Sequence, residues 1–275
     1  MIIDAHHHFW MYNPEEYGWI GENMGTLRRD FLPPHLQRVA EKNAVTGVVS
    51  VQARQKLEET EWLLELAEDY ELINGVVGWL PLRQDDVEAR LERFAVHPKL
   101  KGVRHVVHDE ADDEFILDTA FNHGVSLLQN YQLVYDILIF ERHLPQTIAF
   151  VDRHPNQTFV LDHIGKPRIA DEHMEPWSSN LRELAQRSNV ACKLSGMVTE
   201  ADFRNWTDAQ LRPYMETVVE AFGPERVMFG SDWPVCLAAA SYGRWLRVVR
   251  EFISHFSPDE QNRILHGTAT DFYQL

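Results

Sequence analysis

Directly after the apolar pair Ile2-Ile3 the chain reads Asp4-Ala5-His6-His7-His8. Extended backbone sends successive side chains to opposite faces, so a strand over Ile2–His8 puts His6 and His8 on one face and His7 on the other. Two imidazoles side by side at a strand end can grip one metal ion or one water molecule. Three histidines with no linker after them are too few for a tag. Other polar side chains stand where later apolar segments end: Gln52 and Arg54, Trp79, Arg104 with His105 and His108, Gln129 with Asn130, Asp162-His163 with Lys166, Lys193 with Ser195, and Ser231-Asp232. Among these, His6, His8, His163 and Asp232 form a set of three imidazoles and one carboxylate that suits zinc or a similar divalent ion. The same set suits a water held by histidines and deprotonated by Asp232. His105 alternates away from Arg104, so at most one of them faces the site. His7, Asp4 and Cys192 read as packing residues.

Positioning these groups requires a repeating scaffold. Eight apolar, β-rich segments recur: Ile2–His8, Thr46–Arg54, Ile73–Leu82, Leu100–Val107, Gly124–Tyr131, Thr158–His163, Asn189–Gly196 and Arg226–Asp232. Helical periodicity fills most of the gaps, as in Glu59–Tyr70, where Trp62, Leu63, Leu66, Ala67 and Tyr70 recur at spacings of three and four. Further helices are expected over Asp113–His123, ending at Gly124, over Tyr135–His154 with a break at Pro145, and over Leu181–Arg187, Ala209–Phe222 and Tyr242–Phe256. Strand and helix alternating about eight times in a chain of this length predicts an α/β fold, a single-domain (β/α)8 barrel over residues 1–275. A doubly wound open sheet is the alternative, but its first turn is more often rich in glycine, whereas here that turn holds histidines and Phe9-Trp10. Barrel active sites form at the C-terminal ends of the strands, so the polar strand ends carry a functional expectation. A long loop at about residues 11–34, with Pro14, Gly18, Gly21, Gly25, Pro33 and Pro34, is expected over that face.

Composition narrows the partners. Lysine and arginine total 26 against 42 aspartates and glutamates, a net charge of −16, which repels nucleic acid and anionic membrane. No apolar run approaches a membrane span and no signal peptide is visible. Two cysteines, Cys192 and Cys236, do not make a disulfide framework. The expectation is a cytoplasmic enzyme or binding protein, monomer or homodimer, acting on a small neutral molecule.

Four stretches together resemble the amidohydrolase superfamily in its lactone-hydrolysing branch of sugar and dicarboxylate lactonases: Ile3-Asp4-Ala5-His6-His7-His8-Phe9-Trp10, Leu161-Asp162-His163-Ile164-Gly165-Lys166-Pro167, Lys193-Leu194-Ser195-Gly196 and Phe229-Gly230-Ser231-Asp232-Trp233-Pro234. Val51-Gln52-Ala53-Arg54, Gly78-Trp79 and Arg104-His105 extend the likeness to its sugar-lactonase members. The resemblance implies a hydrolase that opens a sugar aldonolactone, such as L-fucono-, L-galactono- or L-rhamnono-lactone, to the free acid. Asp232 and His163 are the implied catalytic pair, and His6, His8, His163 and Asp232 the implied ligands of one divalent ion, with zinc suited to the set. The branch also includes members that work without metal. Gln52, Arg54, Trp79, Arg104, His105, Gln129, Lys166 and Lys193 are the expected substrate contacts. No lysine or histidine stands at the fifth-strand ligand position of binuclear members; Gln129 or Asn130 falls there, which argues against two metals. A dicarboxylate lactonase or decarboxylase on the same barrel needs a stronger cationic clamp than Arg104 and Lys193 offer. A non-catalytic sugar-acid binding barrel has no need of a general base beside three imidazoles.

Overall fold

The structure is a computed structural model describing residues 1–275. Its eight strands are β1 (Ile3–His7), β2 (Gly47–Val51), β3 (Ile73–Gly78), β4 (Leu100–Val106), β5 (Val134–Leu138), β6 (Phe159–Leu161), β7 (Val190–Leu194) and β8 (Val227–Phe229). All pair in parallel and in chain order. The surrounding helices are α1 (Pro33–Asn43), α2 (Leu57–Asp69), α3 (Val87–Phe94), α4 (Thr119–Leu128), α5 (Leu144–Asp152), α6 (Trp177–Leu184), α7 (Met197–Glu200), α8 (Asp208–Phe222) and α9 (Tyr242–Phe252). Where the last strand returns to the first, His7 and Trp233 form a parallel bridge. There the His8 N–H donates to the Trp233 carbonyl at 2.7 Å and the Asp232 N–H to the His6 carbonyl at 2.8 Å. The result is the expected (β/α)8 barrel, and its closing seam carries His6, His8 and Asp232. No helix is long and apolar enough to cross a membrane.

Two apolar layers hold the barrel. The larger lies between strands and helices. The smaller fills the barrel's lower interior with Ile3, Ala5, Val49, Val51, Val77, Val134, Val160, Ala191 and Met228, and is closed from below by Ala269 and Tyr273 of a C-terminal helix, Thr268–Tyr273. Strand alternation predicts that Asp4 and His6 share a face, but β1 departs from it. The pairing passes from Asp4–Val48 to His7–Ser50, so β1 carries one extra residue, a β-bulge. Ile3 and Ala5 pack inward while Asp4 points outward to the Tyr242 hydroxyl, which donates to its carboxylate at 3.0 Å. After the bulge His6 and His8 face inward and His7 outward, where its Nε2 lies 2.9 Å from Ser50 Oγ.

The fifth strand corrects the sequence reading. Gly124–Tyr131 is not a strand: most of it belongs to α4, and β5 follows at Val134–Leu138. Asp118 caps α4, its carboxylate accepting the Phe121 N–H at 2.8 Å, and Phe121, Val125 and Leu128 recur at helical spacing to form its buried face. Gly124 is no terminator. It lies within α4 because a Cβ there would stand 2.0 Å from the Leu82 carbonyl oxygen. Gln132, with φ of 57°, ends the turn that follows and lets the chain enter β5. Pro145 likewise does not break a long helix; it occupies the first turn of α5, where a missing N–H costs nothing. Pro33 and Pro34, expected in the loop, begin α1 in the same way.

Candidate active site

A cavity of about 330 Å³ opens at the C-terminal ends of the strands, with His8, His163, Asp232 and Arg104 at its base. Trp19, half-exposed on the segment between β1 and α1, reaches its rim. His8 Nδ1 lies 2.8 Å from the Val51 carbonyl oxygen and can only donate there, so its Nε2 carries the lone pair. His6 Nδ1 lies 3.3 Å from Asp162 Oδ1 and 3.2 Å from Lys193 Nζ, while Arg104 Nη1, which can only donate, stands 3.4 Å from its Nε2 and so meets a lone pair there. The two Nε2 atoms stand 3.2 Å apart. Two lone pairs at that distance repel unless a proton or cation lies between them. Ligand nitrogens at the usual ~2.0–2.1 Å from zinc in a tetrahedral set are roughly 3.3 Å apart, so the separation fits one ion. Asp232 Oδ1 completes the group at 3.5 Å from His8 Nε2 and 3.9 Å from His6 Nε2. The donor set therefore fits a divalent metal ion.

His163 approaches from the far side, its ring 4.4 Å from that of His6 and its Nδ1 2.8 Å from Ser195 Oγ. Strict alternation after β6 would send Asp162 and His163 to opposite faces. The backbone instead turns through left-handed conformations at His163 and Ile164, φ 54° and 52°, and both side chains reach the His6 ring. Gly196, at φ 66°, makes room: a Cβ there would lie 2.6 Å from His163 Cγ and Nδ1. Burial lowers the His163 pKa to about 3, against the opposing pull of Asp232 and Asp162, so its ring is neutral at neutral pH. Burial works against ionisation of Asp232, but its electrostatic interactions with His163, His8 and Lys166 bring its carboxyl below the ordinary value. Asp232 is thus a carboxylate beside the neutral imidazole of His163.

Below the cavity lies a charged layer of which the sequence pointed to Arg104, Lys193 and Asp162 but not to Asp136. Asp162 Oδ2 accepts from Arg104 at 2.9 Å, and Lys193 Nζ sits 2.9 Å from Asp162 Oδ1 and 2.5 Å from Asp136 Oδ2. The Tyr273 hydroxyl donates to Asp136 at 2.7 Å. Burial opposes the charge on Asp162, yet Lys193, His6 and Arg104 hold its carboxyl well below the ordinary range. Asp136 was hidden by the misplaced fifth strand. A lone aspartate inside the run Leu133-Val134-Tyr135-Asp136-Ile137-Leu138 was the available signal.

Of the expected substrate contacts, Arg104 and Lys166 line the cavity. Gln52 is buried behind Arg104, its Oε1 accepting from that guanidinium at 2.9 Å. Lys193 is fully buried beneath the base, committed to two carboxylates, and does not line the cavity. Arg54 pairs with Glu16 and Glu59 and, with Trp79, lines a separate groove of about 540 Å³. His105 points outward, stacked 4.8 Å from Phe115, with its Nε2 2.7 Å from Glu110. Arg104 is therefore the inward member of that pair. Gln129 is exposed just past the end of α4, donating to the Ser126 carbonyl, because the strand expected there is helix and turn. Sequence reading did not single out Phe140, Thr199, Asp109 or Trp19 as cavity residues.

Comparison with known proteins places this geometry. The amidohydrolase family profile matches residues 3–275. The chain belongs to the amidohydrolase family. An L-fucono-1,5-lactonase of Burkholderia multivorans is 44% identical over 99% of this amidohydrolase and 96% of the relative. An L-fucono-1,5-lactonase of Burkholderia ambifaria is 35% identical over 99% and 95%. A crystal structure of an amidohydrolase from Burkholderia multivorans with bound zinc, 43% identical, superposes with a TM-score of 0.97 over 100% of this chain and 99% of that one. Of the four ligands expected for one ion, the present amidohydrolase brings His6, His8 and Asp232 into one group, while His163 groups with His6 and Asp162.

Proposed function

We propose that this amidohydrolase opens a sugar aldonolactone, L-fucono-1,5-lactone or a near relative such as L-galactono- or L-rhamnono-lactone, to the free sugar acid. The observation that carries the reading is Asp232, an ionised carboxylate at the base of a cavity sized for one sugar ring, beside the neutral imidazole of His163. The two full-length relatives at 44% and 35% identity, both L-fucono-1,5-lactonases, support the substrate class.

Asp232 Oδ1 is turned toward His6 and His8, and Oδ2 has no hydrogen-bond partner in the protein. Asp232 accepts a proton from a water beside His163, and the resulting hydroxide adds to the lactone carbonyl. The tetrahedral alkoxide collapses with cleavage of the bond from the carbonyl carbon to the ring oxygen. Protonated Asp232 returns its proton to that oxygen, which leaves as the sugar's own hydroxyl, and the acid product ionises. Arg104, lining the cavity base, supplies fixed positive charge as the carbonyl oxygen becomes negative. His6, His8 and Asp232 would hold the divalent ion, zinc by the donor set, with His163 alongside. When bound, that ion supplies Lewis-acid polarisation and a lower pKa for water.

The test is acid release from a panel of aldonolactones, before and after chelator treatment. Release from an L-fucono- or L-galactono-lactone is expected from the wild type, with a loss on the order of 10²–10⁴-fold in Asp232→Asn. Near wild-type hydrolysis by Asp232→Asn would rule out this mechanism, and no release from any member of the panel would rule out the function.

A further inference from the structure

One wall of the cavity is built to recognise hydroxyl groups. After β4 the chain makes a single tight turn, Val107–Asp109, which brings His108 back over the cavity. Its Nδ1 lies 2.8 Å from Asp109 Oδ1. A carboxylate only accepts, so Nδ1 carries the hydrogen. In the neutral ring Nε2 is then a bare acceptor, and no protein group pairs with it. Burial pushes the His108 pKa down, with Lys166 and Arg104 acting in the same direction against Asp109, so the ring stays neutral at neutral pH. The ring lies on Phe140, centroids 4.5 Å apart, and Lys166 Nζ stands 5.5 Å from the centroid of that same phenyl ring. Lys166 has three N–H donors, and its carboxylate neighbour Glu200 is 3.4 Å away.

We propose that His108, held in one tautomer by Asp109 and seated on Phe140, accepts a hydrogen bond from a ring hydroxyl of the substrate, and that with Lys166 as donor it selects polyhydroxylated lactones over plain ones. A hydroxyl offers one hydrogen and two lone pairs, so an acceptor and a donor sharing one aromatic platform match its two requirements. The exposed part of the Phe140 face, with Leu138 and Val235, takes the C–H face of the ring. The charged groups of the cavity are the cations Arg104 and Lys166 and the carboxylates Asp109 and Asp232, the first engaged with His108 and the second committed to the chemistry. A sugar hydroxyl seeking a neutral acceptor therefore meets His108. Asp109 is a positioning residue, acting through the tautomer of His108. A site that hydrogen-bonds a hydroxyl discriminates strongly against a substrate lacking it, because its polar group is left unpaired. The inference rests on the lactonase reading and sharpens its substrate class.

The experiment compares wild type, His108→Phe and Asp109→Ala on a hydroxylated lactone (L-galactono-lactone) and on δ-valerolactone, which has no hydroxyl. His108→Phe is expected to lower kcat/KM for the hydroxylated lactone roughly 10–100-fold, mainly through KM, and to leave δ-valerolactone within about twofold. Asp109→Ala should show a smaller loss with the same split. Equal losses on both lactones, or none on either, overturn the inference while leaving the lactonase reading intact. Titration calorimetry of L-fuconate against 5-hydroxypentanoate runs alongside, on the same proteins. There His108→Phe should lose about tenfold or more in L-fuconate affinity, and unchanged affinity again overturns the inference. A wild type that opens no lactone yet loses L-fuconate binding on His108→Phe would sink the lactonase reading and keep the hydroxyl contact.

Discussion

Two cations and two carboxylates are shut away from water beneath the cavity: Arg104 and Lys193 against Asp136 and Asp162. Charges this deep are tolerable only when paired and hydrogen-bonded, and each of these is. Lys193 and Arg104 hold Asp162 ionised, and His6 sets its Nδ1 against this layer, 3.3 Å from Asp162 Oδ1 and 3.2 Å from Lys193 Nζ, which leaves Nε2 facing upward. Removing one member leaves its partners uncompensated. Lys193→Met should cost about 3–5 kcal/mol in denaturant unfolding, and Asp136→Asn should destabilise as well. The double variant should cost less than the two single changes added together, by at least about 1 kcal/mol, because it removes a cation and an anion at once. Strict additivity would mean that the Lys193–Asp136 contact carries no coupling. At this scale the sequence was half legible. His6, His8, His163 and Asp232 stand at strand ends where type and spacing point to them, whereas the inward place of Asp162 follows from the backbone turn at His163, and Asp136 became visible only with the register of β5.

Elements explain which positions could be read. Seven of the eight observed strands overlap their sequence expectation, because a β-rich apolar run bounded by polar residues is a strong signal. The exception lies between α4 and β5, where Gly124-Val125-Ser126-Leu127-Leu128 has strand composition but helical placement of its apolar face. What decides it is tertiary: only a glycine lets α4 approach the Leu82 carbonyl. Gly124→Ala is therefore expected to destabilise by about 1–3 kcal/mol, despite alanine's better helix propensity of about 1 kcal/mol. A melting temperature equal to or above that of the wild type would show that the loop yields. Gly196→Ala tests the other close approach, and its effect should fall on function. The new methyl collides with His163 at a backbone angle that already disfavours a side chain, so lactone hydrolysis should drop on the order of 10²-fold. Unimpaired hydrolysis in Gly196→Ala would show that the position of His163 is not set by this contact.

The closing of the barrel joins the first ten residues of the chain to a segment more than two hundred residues later. Between β1 and the end of β8 the seam holds one bridge, His7–Trp233, the hydrogen bonds from His8 and Asp232 across it, and the Ser231 N–H donating to the Asp4 carboxylate at 2.7 Å. His6 and His8 stand on one side of that seam and Asp232 on the other, so an ion held by all three also ties the two ends of the barrel together. An ion that binds the native state alone stabilises by RT ln(1 + [L]/Kd), about 2.7 kcal/mol at one hundred times Kd. For a chain of this size that corresponds to a rise in melting temperature on the order of 5 °C. Chelator-treated protein should therefore melt lower and recover on adding zinc, and Asp232→Asn should lose most of the recovery while His163→Asn keeps part of it. The prediction separates binding from chemistry, since it needs no substrate. A melting temperature indifferent to chelator and zinc alike would mean that the 3.2 Å approach of the two imidazoles is bridged by a proton, and that Asp232 works on water through histidines alone.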